Sequence, residues 1–443
     1  MNLLVKDKCF YKKMAVIAIP ISLQSMITIG VNMTDTVMVG KLGETSLSAT
    51  ALANQFVNIY QICCMGIAMG ASVLTSRFWG MQDITSLKKT ITLMLRLCIV
   101  LAVLFMLPTI LIPQLLMRMY TNDSAVIAQG VQYFKWMVYC YFLQGMTMTC
   151  TIVLRSVGQV NFPLFTSIGS FFVNILFNYM FIFGKLGVPR MEVEGAGVGT
   201  LIARVFEFSL ICGYFLFVDR KIGYRLKDLR MKCNSLIKDY VSISIPVFVS
   251  DSLLALGTSA VAMVMGRIGT GFVSANSITV VTQQLTTVII QGICHASCIM
   301  TGHTLGQGER EKAQQQAWTF LILGLVVGIL GGGLIKVLSR PIIGLYNITP
   351  ETAQIAGELM DAIAFIVIFQ SMNSILTKGV LRGGGDTKFL MVADIIFLWA
   401  ASLPLGILAG LVWHLDAFWI YVFLKIDQIC KSIWCVSVSY THL

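Results

Sequence analysis

Twelve long apolar runs separated by short polar gaps make up most of the chain. They fall at about 14–38, 48–76, 92–117, 131–153, 163–184 and 195–218, then at 240–265, 274–302, 316–338, 356–379, 389–411 and 416–437. Each reaches the roughly 20 residues that a helix needs to cross a bilayer. The runs are continuous, not alternating segments of about ten residues, so the pattern predicts helices and not barrel strands.

The pattern occurs twice. Ile19-Pro20-Ile21-Ser22 opens a run that closes at Val39-Gly40-Lys41-Leu42-Gly43, and Ile245-Pro246-Val247-Phe248 opens one that closes at Met265-Gly266-Arg267-Ile268-Gly269. Pro20 and Pro246 are 226 positions apart, as are Gly40 and Gly266, Gly80 and Gly306, and Tyr120 and Tyr346. Leu154-Arg155 answers Leu381-Arg382 with one residue of slip. A duplicated unit of about half the chain follows. With six spans in each copy, both enter the membrane the same way round. The expected fold is therefore all-α and integral to the membrane, with twelve transmembrane helices in two parallel-repeat bundles of six. A binding cleft is expected near the midplane. The expected divisions are an N-terminal bundle over 1–218, a cytoplasmic basic linker over 219–239 and a C-terminal bundle over 240–443.

Composition agrees with this. Hydrophobic residues make up 56% of the 443 positions and charged residues only 12%, about half the share of a soluble domain. The net charge of +11 does not point to nucleic acid, because the charges are spread through the gaps. The N-terminus and the gaps after even-numbered spans hold 21 Lys and Arg, against 8 after odd-numbered spans. Both termini are thus expected on the cytoplasmic side of a cell membrane. The first run has no small-residue cleavage site and reads as an uncleaved span. Twelve cysteines show no secreted-type spacing and read as small buried hydrophobes. The four histidines, His295, His303, His414 and His442, make no metal motif. No nucleophile–base pair is visible, so an enzyme is not expected. The basic stretch Asp219–Asp239 suits either a helix on the inner leaflet or a solvated linker.

An ionisable group inside a span is costly and marks a candidate site. Asp35 lies 15 residues after Pro20 with Asn32, Thr34 and Thr36 beside it. There it can take a proton or help to hold Na+, a hard cation that wants several oxygens. Asn174 and Asn178, at i and i+4, share a helix face. They serve either as interhelical glue or as neutral oxygens for a cation, together with Thr200 after the small-residue run Gly195–Gly199. Asp251 sits between Ser250 and Ser252, where it can meet a cationic substrate or pack against the serines. Arg204 and Glu207, at i and i+3, neutralise each other or rearrange in a cavity. Asp394, Lys425 and Asp427 are further intramembrane charges without a diagnostic spacing. Leu381-Arg382-Gly383-Gly384-Gly385-Asp386-Thr387 reads as a cytoplasmic turn, with Asp386 or Thr387 capping the next helix. Arg155 and Arg382 read as headgroup anchors or turn clamps.

Val380–Thr387, Pro20 with Asp35 and Lys41-Leu42-Gly43, and Val193-Glu194-Gly195-Ala196-Gly197 resemble the signatures of the multidrug and toxic compound extrusion (MATE) family. The resemblance covers essentially all twelve runs. It implies two six-helix bundles around a cavity and antiport by alternating access, with export of cationic amphipathic compounds against H+ or Na+ influx. On that pattern Asp35, Asn174, Asn178 and Thr200 form the cation-coupling site, and the same four are the candidate Na+ ligands. Asp251, Asn373, Glu207 and Arg204 are candidate substrate-binding residues. Asn178 and Asn373 stand where other members carry acids, and Asp251 lies about three residues out of register with the acid of span seven. No cofactor beyond the coupling ion is implied. Small organic cations and membrane lipids are the expected partners, and the chain is expected to act as a monomer. The family's basic tail is missing, which implies a truncated or spliced reading frame after about Val436. Two alternatives remain: a lipid-linked oligosaccharide flippase of a related fold, against which Arg204 is the one clear intramembrane arginine, and a non-transporting membrane receptor.

Overall fold

The computed structural model describes residues 4–185, 187–344, 346 and 348–442, apart from the side chains of Thr270, Leu285 and 436–442. The departure expected after about Val436 thus lies outside the described side chains. Among the described residues there is no strand. The chain begins with α1 (Lys8–Gly40), α2 (Glu44–Gly80), α3 (Ile84–Leu111), the short α4 (Pro113–Arg118), α5 (Ser124–Ser156), α6 (Asn161–Phe183) and α7 (Glu192–Gly213). It continues with α8 (Asn234–Ile268), α9 (Thr270–Gly306), α10 (Arg310–Ile343) and α11 (Pro350–Ser374). α11 runs through π-helical Ile375–Leu381 into the short α12 (Arg382–Gly384). Then come α13 (Thr387–Ile395), α14 (Leu403–Ile407), α15 (Ala417–Leu424) and α16 (Ile426–His442).

Eleven helical stretches among the described residues are long and apolar enough to span a membrane. The twelfth run is interrupted at Lys425, whose backbone (φ −122°, ψ 14°) separates α15 from α16. Helix starts follow local chemistry. The Asp83 carboxylate accepts from the Ser86 N–H ahead of α3, and that of Asp123 from the Ala125 and Val126 N–H groups ahead of α5. Thr349 with Pro350 opens α11 in the same way.

The helices form two compact units. The N-terminal unit comprises Leu23–Thr75 and Asp83–Ser244, and the C-terminal unit comprises Met1–Ser22, Ser76–Gln82 and Ile245–Leu443. α1 and α8 pass from one unit to the other within a few residues of Pro20 and Pro246, the duplicated helix-interior prolines. A proline there removes one backbone hydrogen bond and marks the natural place for a helix to bend.

In the N-terminal unit an aromatic cluster of Phe56, Tyr60, Phe105, Phe134 and Tyr141 joins α2, α3 and α5. The buried Tyr60 hydroxyl is satisfied by donating to the Tyr141 carbonyl at 2.5 Å. In the C-terminal unit glycines bring helices together. A Cβ at Gly328 of α10 would lie 2.7 Å from the Ile368 Cα of α11, and one at Gly383 2.6 Å from the Cys298 carbonyl oxygen of α9.

Asp219–Asp239 forms no long leaflet helix. It folds as a single turn at Leu226–Arg230 and is tied to α3 inside the N-terminal unit. Lys88 donates to Asp228 at 3.0 Å and to the Gly223 carbonyl at 2.6 Å, and Arg96 donates to the carbonyls of Leu229 and Met231. Burial pushes the Asp228 carboxyl up, but the Arg225 backbone N–H and the Lys88 ammonium outweigh it and hold it below the usual carboxylate range. A depressed carboxyl contributes stability at neutral pH that is lost as pH falls through its folded-state value. Asp228→Asn is therefore expected to lower the thermal midpoint at neutral pH, with the gap from wild type closing in acid.

Candidate functional site

The N-terminal unit encloses a cavity of about 380 Å3 between α1, α2, α5, α6 and α7. Its lining includes Asp35, Asn174, Thr200, Arg204 and Glu207, which the sequence singles out from three separate stretches. Asn178 is buried behind this wall, and its Nδ2 donates to Asp35 Oδ1 at 2.6 Å and to Asn174 Oδ1 at 3.3 Å. The i, i+4 asparagines thus form one hydrogen-bonded ladder ending on the carboxylate.

The small residues of α7 make this approach possible. A Cβ at Gly195 would lie 2.5 Å from the Phe181 carbonyl carbon, and one at Gly199 would lie 2.8 Å from the Asn178 backbone nitrogen. α7 therefore touches α6 at the level of Asn178 and delivers Thr200, one residue on, to the cavity wall. Gly199→Val is expected to destabilise the protein by about 2–3 kcal/mol, because its Cβ would meet the Asn178 backbone as well as the Asn178 side chain, and the backbone cannot move aside. A drop in thermal midpoint for the detergent-solubilised protein measures it.

Arg204 Nη1 donates to Glu207 Oε2 at 2.8 Å. The Arg204 guanidinium also acts electrostatically on Asp35. With all three ionised, Asp35, Glu207 and Arg204 give the cavity one net negative charge. Arg155 belongs to the same unit and donates to Gln24, which in turn donates to Ser167 at 2.8 Å. It ties the end of α5 to α1 and α6, and through Ser167 it reaches the cavity lining.

The remaining candidates belong to the C-terminal unit. Asp251 of α8 is paired with Arg382 at 3.1 Å, their side chains being 17% and 5% exposed. Asn373 of α11 donates to Gln428 of α16 at 2.8 Å. Asp386 takes the N-cap position of α13 just after Gly385, whose φ of +90° is the left-handed turn that the glycine run permits.

Sequence reasoning missed the polar residues of α2 and α5 that line the cavity: Asn54, Asn58, Gln61, Tyr133 and Gln144. Tyr133 donates to Asn54 at 3.2 Å. Asn54, Asn58 and Gln61 stand at i, i+4 and i+7, one face of a helix, which was the available signal. Among the described residues no group of three or more His, Cys, Asp or Glu could hold a metal. A hard cation would depend on the neutral oxygens beside Asp35.

Comparison with known proteins places this geometry. The MatE family model matches residues 20–180 and 246–429, one segment in each sequence repeat. An uncharacterised transporter of Bacillus subtilis, YisQ, is 24% identical over 384 residues, covering 85% of this chain and 82% of its own. The probable multidrug resistance protein NorM of Thermotoga maritima is 23% identical over 427 residues, covering 95% and 90%. Among solved structures, the bent form of the Vibrio cholerae MATE transporter VcmN superposes with a TM-score of 0.89 at 16% identity, over 98% of this chain and 97% of that one. A MOP superfamily transporter from Pyrococcus furiosus gives 0.86 at 18% identity, over 97% and 95%. These likenesses extend the all-α, twelve-span architecture to this chain.

Proposed function

The chain belongs to the MatE family, and we propose that it is a secondary active antiporter that exports amphipathic organic cations against proton influx by alternating access. One observation carries the reading: the Asp35 carboxylate, which accepts a hydrogen bond from Asn178, faces a cavity of about 380 Å3 that is net negative when Asp35 is ionised. That volume suits a small organic molecule, and the charge favours a cation. The relative named a probable multidrug resistance protein supports the substrate class.

One feature favours H+ over Na+ as the coupling ion. The Asn178 Oδ1 atom is buried without a hydrogen-bond partner. A protonated Asp35 can fill that vacancy with its O–H once the amide turns over, so the Asn178 side chain can serve both charge states. In the cycle, proton uptake at Asp35 repacks α1 against α6 and α7 and lowers the affinity for cargo. Proton release on the cytoplasmic side restores it. The positive-inside bias supports both termini lying on the cytoplasmic side of a cell membrane, where the chain acts as a monomer among lipids.

Proteoliposomes loaded with tetraphenylphosphonium test this. Efflux is expected to follow an imposed pH gradient and to ignore an imposed Na+ gradient. Efflux driven by Na+ alone would move the assignment to a cation held by Asp35, Asn174, Asn178 and Thr200.

A further inference from the structure

Two hydrogen-bonded rungs join α1 to α6 in one register, and only one of them has a part in the cycle above. Asp35 Oδ1 accepts from Asn178 Nδ2, and Gln24 Nε2 donates to Ser167 Oγ at 2.8 Å, the partners being 143 positions apart in both pairs. Gln24 precedes Asp35 by eleven residues, as Ser167 precedes Asn178. Eleven residues are about three turns, so the rungs share one face of each helix and stand roughly 16 Å apart. Parallel helices held in a single register give this pattern. Between the rungs the Phe171 ring lies against Gly30, 3.7 Å from where a Cβ would stand. The intervening turns of α1 carry threonines that donate to the carbonyl four residues back, Thr28 to Gln24 at 3.0 Å and Thr34 to Gly30 at 2.8 Å. Such back-bonding favours bending.

The two rungs differ in chemistry. The Asp35 rung ends on a carboxylate that can gain a proton. The Gln24 rung has no such group and is clamped by a third helix, because Gln24 Oε1 accepts from the Arg155 guanidinium at the end of α5. Gln24 and Ser167 are buried. The clamp stands four residues after Pro20, where α1 enters the N-terminal unit at Leu23. Among the described residues no carboxylate pairs with Arg155, and Gln24 is its hydrogen-bond acceptor. A guanidinium without a counterion is a weak source of stability, but it fixes the position of the helix it holds. The C-terminal copy keeps such a clamp and lacks the second rung. There Arg382 donates to Asp251, and Ser250 donates to Asp394, 144 positions further on. Val261 and, with the one-residue slip, Leu405 stand at the positions of Asp35 and Asn178 in that copy. The clamp therefore belongs to the shared scaffold, and only in the N-terminal unit does a titratable rung lie beyond it. A helix held at one rung and altered at another three turns away turns about the fixed one.

We propose that Arg155, acting through Gln24 and Ser167, is the positioning residue on which α1 pivots. It holds α1 in register with α6, so that a change of charge at Asp35 turns the helix instead of sliding it. The proposal rests on the proton-coupled reading above. Met33 and Met38 lie on α1 beside Asp35, and Met38 packs on the core of the N-terminal unit. Their isotope-labelled methyl groups report the motion of α1 by NMR in the purified, full-length protein. Wild type is expected to move both signals together through one pH transition, and Asp35→Asn to show none. Arg155→Met, which removes the clamp and leaves no orphan charge, should keep a thermal midpoint near that of wild type and lose the transition. In proteoliposomes its kcat for tetraphenylphosphonium efflux should fall about tenfold with KM little changed. Arg155→Lys keeps a cationic donor for Gln24 and should retain both the transition and the rate. Gln24→Met cuts both legs of the clamp, should repeat the loss, and replaces Arg155→Met if that variant fails to fold. A transition of wild-type size or an unchanged kcat in Arg155→Met, or the same losses in Arg155→Lys, would overturn the proposal. No transition in wild type would overturn the proton-coupled reading, and the pivot with it.

Discussion

Arg382→Leu is expected to destabilise the protein by about 3–5 kcal/mol, the cost of breaking a buried ion pair by removing one partner. Arg382 is almost fully buried, and Asp251 at 3.1 Å is 17% exposed. Without the guanidinium, the Asp251 carboxylate is left without its ion-pair partner in an apolar span. Lys378 and His295 also act on Asp251, which places the loss at the lower end of that range. Removing both charges together, Arg382→Leu with Asp251→Leu, should recover most of the stability, because no orphan charge remains. Thermal unfolding of the three detergent-solubilised proteins separates the cases. Equal losses in the single and double variants would mean that Arg382 acts through packing and not through its charge.

Asp35→Asn should reduce gradient-driven export to the rate of protein-free liposomes, while the folded protein still binds a lipophilic cation. An asparagine Oδ1 can still accept from Asn178 Nδ2, now 2.6 Å away, so the ladder and the fold survive. What disappears is the titratable oxygen. The cavity becomes neutral, since Arg204 and Glu207 cancel, and cargo affinity falls in consequence. A fold lost in this variant would mean that Asp35 serves packing.

The architecture was largely legible from run lengths, because a bilayer demands about twenty apolar residues per helix whatever their packing. The break at Lys425 was not, since one charged residue in an apolar run looks the same whether the helix bends, breaks or tolerates it. Within the cavity, Asp35 stood out through its cost, and Asn174 with Asn178 through their spacing. Asn54, Asn58 and Gln61 carry the same kind of spacing but no charge to draw attention. Pairings across the sequence were the hidden part. Asp251 and Arg382 were each visible, one as a possible substrate contact and the other as a turn clamp, yet 131 positions separate them. Shorter separations, 37 and 55 positions, likewise hid the Lys431 contact to Asp394 and the Gln428 contact to Asn373.

The most direct test of proton antiport is counter-flux. Proteoliposomes carrying an internal pH dye and no imposed gradient are given tetraphenylphosphonium on the side from which cargo is taken up. The account predicts a pH change opposite in sense to cargo movement in wild type and none in Asp35→Asn. Cargo movement at constant internal pH, or the same pH change in both proteins, would contradict it.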